Sequence, residues 1–181
     1  MIRFVAIAAL AVGSWTAMQT ASAPSPRSTL DKLVTQMADP ALSEATPDQV
    51  QAAMGSSIRF DQTSGALSAP SCAVTLPVEP DSAIADGIAG FAADPADGAC
   101  ATPHLRHLAL RLATTGDFSQ THVVDLLRDE LGTPDESEQT ADGATRVSWL
   151  GNDRALYVEY DPKSPETTAL YLIKRPLVAT F

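Results

Sequence analysis

Three histidines, one carboxylate pair and two cysteines are the residues of this chain whose types and spacing could do chemistry. His104 and His107 lie three apart, and His122 follows. On a helix the first two would share a face and could hold a metal ion; on a strand they point to opposite faces. No nearby cysteine or acidic residue completes a tetrahedral ligand set, so no metal site is expected. Glu159 and Asp161 are two apart and would share a strand face, where paired carboxylates can do acid–base work. On the rim of a sheet the same pair serves more simply to repel other strands. The G-x-S-x-G elbow of a serine hydrolase is absent. Gly87-x-x-Gly90 has neither the lysine nor the capped helix of a phosphate cradle. A hydrolase using His104, His107 or His122 with Glu159 lacks the rest of its constellation. The expectation is a non-catalytic protein without a cofactor.

The cysteines point to a compartment instead. Met1-Ile2-Arg3 is a short basic segment, Phe4–Val12 is apolar, and Ala21-Ser22-Ala23 has the small-x-small pattern of a cleavage site. Residues 1–23 therefore read as a signal peptide. The apolar run is shorter than the roughly 20 residues that span a bilayer, so no stable membrane anchor is expected after cleavage. Cys72 and Cys100 would then form one disulfide in an oxidising compartment, periplasmic or extracellular. It would close a loop of about 28 residues, a contribution of ~3.5 kcal/mol in the chain-entropy view. Their spacing fits neither a redox C-x-x-C nor a zinc pattern. With 12 Lys+Arg against 22 Asp+Glu the net charge is −10. Such a chain repels phosphate backbones, so nucleic acid is a poor partner.

The elements that must position these residues follow from periodicity. Residues 24–28 form a Pro/Ser leader, expected to be disordered, ahead of a single domain over 29–181. Leu30, Leu33, Val34 and Met37 mark a first helix, ended by Asp39-Pro40. Thr46-Pro47 caps a second, with Val50 and Met54 apolar and Gly55 as its stop. Ser57–Gln62, Ala73–Val78 and Gly87–Ala92 read as strands, with 65–70 as loop. Both a helix and a strand fit Pro103–Ala113, and the alternation of Leu108, Leu110 and Leu112 favours the strand. Ser119–Leu131 is a third helix, capped by Ser119 or Thr121 and stopped at Gly132. After an acidic loop at 135–143, the segments 145–150, 155–160 and 168–174 form a three-stranded meander. Leu30-x-x-Leu33 and Val50-x-x-x-Met54-Gly55 are echoed by Leu105-x-x-Leu108 and Leu127-x-x-x-Leu131-Gly132, roughly 76 residues on. The fold expected is α+β: an antiparallel sheet with helices packed on one face, which could divide into similar halves, 29–102 and 103–181.

The aromatics gather in the last meander. Trp149, Tyr157, Tyr160 and Tyr171 are core anchors if buried and binding hot spots if exposed on the sheet. By alternation Tyr160 shares a face with Leu156 and Val158, and Tyr157 faces the other way beside Glu159. A helix ending Leu131-Gly132-Thr133-Pro134, a strand with Trp149 and a strand with Leu156-Tyr157-Val158 resembles the helix-plus-three-strand unit of the β-lactamase inhibitor protein. It also resembles that of the small lipoprotein of the outer-membrane barrel-assembly machinery. The resemblance covers roughly 117–174 and implies binding of another protein, not catalysis. The expected function is an exported, soluble protein-binding module of the bacterial cell envelope. The alternative is an inhibitor or immunity protein against a basic secreted enzyme, which the acidic charge would steer.

Overall fold

The computed structural model describes residues 26–55, 58–61, 66–68, 73–81, 83–93, 102–113 and 120–175. Helix α1 (Pro26–Ala38) leads through a 3₁₀ turn (Pro40–Glu44) to α2 (Pro47–Met54). Strands β1 (Ala66–Ser68), β2 (Ala73–Val78), β3 (Ile84–Ala92) and β4 (His104–Leu112) follow. Helix α3 (Gln120–Leu131) then precedes β5 (Glu136–Gln139), β6 (Thr145–Leu150), β7 (Arg154–Asp161) and β8 (Ser164–Lys174). The strands make one antiparallel sheet in the order β1-β2-β3-β4-β8-β7-β6-β5. Helix followed by a four-stranded meander thus occurs twice, and the two meanders join where β4 pairs with β8.

Alternation decides which side of the sheet is covered. One row runs Trp149, Leu156, Leu172, Leu108, Ala89 and Leu76 across six strands. The next runs Val147, Val158, Leu170, Leu110, Gly87 and Val78. Gly87 has no room for more: a Cβ there would lie 2.7 Å from the Ala109 carbonyl oxygen and from Leu110 Cδ2. These residues form one apolar core with Leu30, Leu33, Val34 and Met37 of α1, Val50 and Met54 of α2, and Val123, Val124 and Leu127 of α3. The apolar stripes foreseen on the first two helices are the stripes that pack, and α3 packs Val123, Val124 and Leu127 in the same way.

The helix ends are built as the sequence implies. Thr46 caps α2 by accepting a hydrogen bond from the Gln49 amide, and the Gln49 side chain accepts one from the Thr46 amide in return. Gly55 and Gly132, with φ of 57° and 84°, end α2 and α3 in a conformation that side chains resist. The last carbonyls of α1 are met from the far half of the sheet. The Arg154 guanidinium donates to the carbonyl oxygens of Asp39 at 2.6 Å and Ala38 at 2.5 Å. Arg154→Ala is expected to cost about 1–2 kcal/mol, read as a lower urea midpoint, with Arg154→Lys recovering part because one ammonium cannot fork.

Several sequence expectations are corrected here. Helix α1 begins at Pro26 rather than after a disordered leader, and proline suits a first helical turn. Residues 135–143 are not a plain loop: Glu136–Gln139 pair with β6 as a strand, and the meander has four strands rather than three. Ala66–Ser68 likewise pairs with the start of β2 where a loop was expected. Ile58 and Phe60 are buried, but their segment meets the end of β2 through a single bridge, Phe60 to Val78, instead of forming a strand. Residues 104–112 are strand, so the Leu30/Leu105 echo aligns a helix with a strand, whereas the Val50/Leu127 echo aligns two helix ends. The segment 1–23, Ser119, and Cys72 and Cys100 lie outside the described residues. Among the described residues no helix is long and apolar enough to cross a membrane.

Candidate functional site

The helices all lie on the core side, and the opposite face of the sheet carries no helix among the described residues. On that open face the register sets Ser148, Tyr157, Tyr171, Ala109 and Ile88 in one row. Beside it run Glu138, Arg146, Glu159, Ala169, Arg111 and Asp86. The Tyr157 and Tyr171 rings stack, with centroids 4.6 Å apart and planes at 17°. The Arg146 guanidinium sits 5.1 Å from the Tyr157 ring centre and donates from Nε and Nη2 to one Glu159 carboxylate oxygen, at 3.0 and 2.8 Å. Its Nη1 lies 3.6 Å from Glu138. Strand pairing, stacking and a cation over the ring hold the tyrosines without help from the core.

Among the described residues, the large hydrophobics that stay exposed belong to this face. They are Ile88 at 46%, Leu150 at 38% and Ile173 at 36%. Leu150 and Ile173 belong to a third row, which continues through His107 and Gly90. Gly90 is needed there, since a Cβ would fall inside the His107 ring, 2.0 Å from Cε1. Between Tyr171 and Ile88 the small side chains of Ala109 and Ala169 leave a shallow depression of about 330 Å³. Asp86 and Arg111, joined as an ion pair, form part of its lining. A second cavity of about 610 Å³ lies on the helix side, among Gln36, Leu42, Ala45 and Ala53.

Burial raises both tyrosine pKa values above the ordinary 10.0; Arg146 pulls Tyr157 back and Glu159 pushes it up. For Tyr171, burial acts first and Glu159 and Tyr157 add to it. A folded-state pKa above the unfolded one means that the unfolded chain loses its proton first. Stability from the neutral phenols is thus present below about pH 10 and falls as the pH rises through the folded-state values. A spectrophotometric titration is expected to show two late phenolate transitions, each absent in the matching Tyr→Phe variant.

Of the four aromatics singled out in the sequence, the structure brings two together. Trp149 is 5% exposed on the core side, and its indole Nε1 donates to the Gly132 carbonyl oxygen at 2.9 Å. Tyr160 is partly buried against the same core. These two are therefore corrected from the candidate binding face to the core. The three histidines are scattered. A His104 ring nitrogen lies 2.6 Å from the Glu44 carbonyl oxygen, His107 covers Gly90, and His122 faces Asp31 of α1 at 3.2 Å. No metal-binding group of three or more ligand side chains forms among the described residues. Asp161 is held in the β7–β8 turn, where its side chain accepts from the Lys163 amide at 2.8 Å, while Glu159 serves Arg146. Sequence reading missed Arg146, Ile88 and Ile173. Alternation alone could have put Arg146 and Ile88 on solvent-facing positions, but their neighbours depend on cross-strand register.

No protein-family model matches the chain, and no curated protein is significantly similar to it. Among solved structures it is similar to a DUF4309 family protein, YjgB, from Bacillus subtilis, at 11% identity and a TM-score of 0.43. That likeness covers 82% of this chain and 99% of the other.

Proposed function

We propose that this chain is an exported, soluble, non-catalytic protein-binding module of the cell envelope, and that it binds through the open face of its sheet. The observation that carries the reading is the stacked Tyr157–Tyr171 pair under Arg146, set beside exposed Ile88 and Ile173. Tyrosine and arginine on the same open face as exposed aliphatic side chains are the composition of binding hot spots. Export rests on the leader at residues 1–23, and the lack of catalysis on the dispersal of the titratable groups. A second reading, an inhibitor or immunity protein for a basic secreted enzyme, draws on the net charge of −10.

The test is capture from envelope and secreted fractions at two salt concentrations, with Tyr157→Ala beside the wild type. Tyr157→Ala is expected to leave the melting temperature within a few degrees and to weaken partner binding about tenfold or more. Unfolding of that variant, or undiminished capture by it, would remove the open face as the binding surface. A basic enzyme captured from the secreted fraction and released by salt selects the inhibitor reading; a component of the envelope fraction selects the assembly module.

A further inference from the structure

We infer that the partner is a protein whose contacting loop sets one uncharged apolar side chain into the depression between Tyr171 and Ile88 and lays basic side chains over the β5–β6–β7 end of the face. This rests on the open face being the binding surface, and it specifies what that face selects.

The depression exists because the row Tyr171, Ala109, Ile88 has a methyl group where its neighbours have large side chains. Ala169 opens the adjoining row in the same way, beside Arg111. At about 330 Å³ and open along the sheet surface, the hollow has room for one large side chain but does not enclose what sits in it. Its rim charges, Asp86 and Arg111, already satisfy each other. Its floor is apolar, at Ile88, Ala109 and Ala169, and its rim charges are paired with each other, so an uncharged anchor fits it better than a charged one. The other end of the face is unbalanced. Glu136 and Glu138 of β5 are exposed, and Glu159 lies beside them, against the cation Arg146 alone in those rows among the described residues. Arg146 gives both its close hydrogen bonds to Glu159 and stands 3.6 Å from Glu138. Negative charge is thus in surplus at that end, as in the chain as a whole, whose pI is about 4.5. Lysine or arginine from a partner complements it. The stacked tyrosines lie between the two ends and give the loop an amphipathic floor.

The experiment is selection of disulfide-looped random peptides, displayed on phage, against the full-chain protein. Enriched loops are expected to carry an aromatic or leucine residue flanked by lysine or arginine. Their affinity is expected to fall about tenfold on Ala109→Leu, which fills the depression, and on Glu136→Lys/Glu138→Lys, with melting temperatures unchanged. Ala169→Met is a second filling variant, should Ala109→Leu disturb the strand. Loops that bind both filling variants as tightly as wild type but lose Tyr157→Ala overturn this inference and leave the open-face reading standing. Loops indifferent to Tyr157→Ala and Tyr171→Ala sink both, and enrichment of acidic loops or of none overturns the inference.

Discussion

Trp149→Ala is expected to destabilise the protein by about 3–5 kcal/mol, out of the roughly 5–15 kcal/mol that a domain usually has. The residue closes the core at the β6 end of the row that runs to Leu76, beside Leu156. It does more than fill space. Its indole N–H satisfies the Gly132 carbonyl just past the end of α3, and so fixes where the helix leaves off and the second meander begins. The substitution removes the ring and leaves that carbonyl to find water. Trp149→Phe separates the two contributions: most packing returns, the hydrogen bond does not, and a deficit of about 1 kcal/mol is expected. Urea unfolding followed by far-UV circular dichroism measures both. An unchanged midpoint for Trp149→Ala would mean that the tryptophan is not a core residue. The contrast with Tyr157→Ala is the useful one, because these two aromatics lie on neighbouring strands and on opposite faces.

Leu108→Ala comes next, at about 2–5 kcal/mol. Leu108 is fully buried and stands opposite Leu172 at the seam where the two meanders join. Each meander has its own helix, yet the rows of core side chains run straight across the seam, from Trp149 to Leu76. The loss is therefore expected to lower a single transition of the whole molecule, with near-UV and far-UV signals moving together. Two separated transitions would show that the halves are stable apart. Strands β4 and β8 are also far apart in sequence, so their pairing closes a long loop in a sheet otherwise built from consecutive strands.

Much of the fold was legible in the sequence, for physical reasons that can be named. Thr46-Pro47 with Gly55, and Gly132 with Pro134, are local signals whose energetics need no tertiary context. Leu108, Leu110 and Leu112 were readable as a strand because one side of β4 is buried and the other is not. What could not be read lies at edges and across strands. Strand β5 has no apolar residue to betray it and exists only because β6 offers a ladder to pair with. Ala66–Ser68 depends in the same way on β2. The candidate face was half legible. Alternation separated Tyr157 from Tyr160, but only the β7–β8 register brings Tyr157 against Tyr171 and only the β6–β7 register brings Arg146 to Glu159. Trp149 could be read either way, because tryptophan is the residue of both cores and hot spots.

The glutamates of β5 have one more consequence. A sheet with unpaired edge strands invites copies of itself to add on, strand to strand, at its ends. Here the last strand at that end is four residues long, fully exposed, and carries Glu136 and Glu138. A second molecule aligning its own β5 alongside would bring four carboxylates together over a few ångströms, with no apolar contact in return. That end of the sheet resists polymerisation by its own charge, so the face that carries Ile88 and Ile173 is not drawn into a growing sheet through β5.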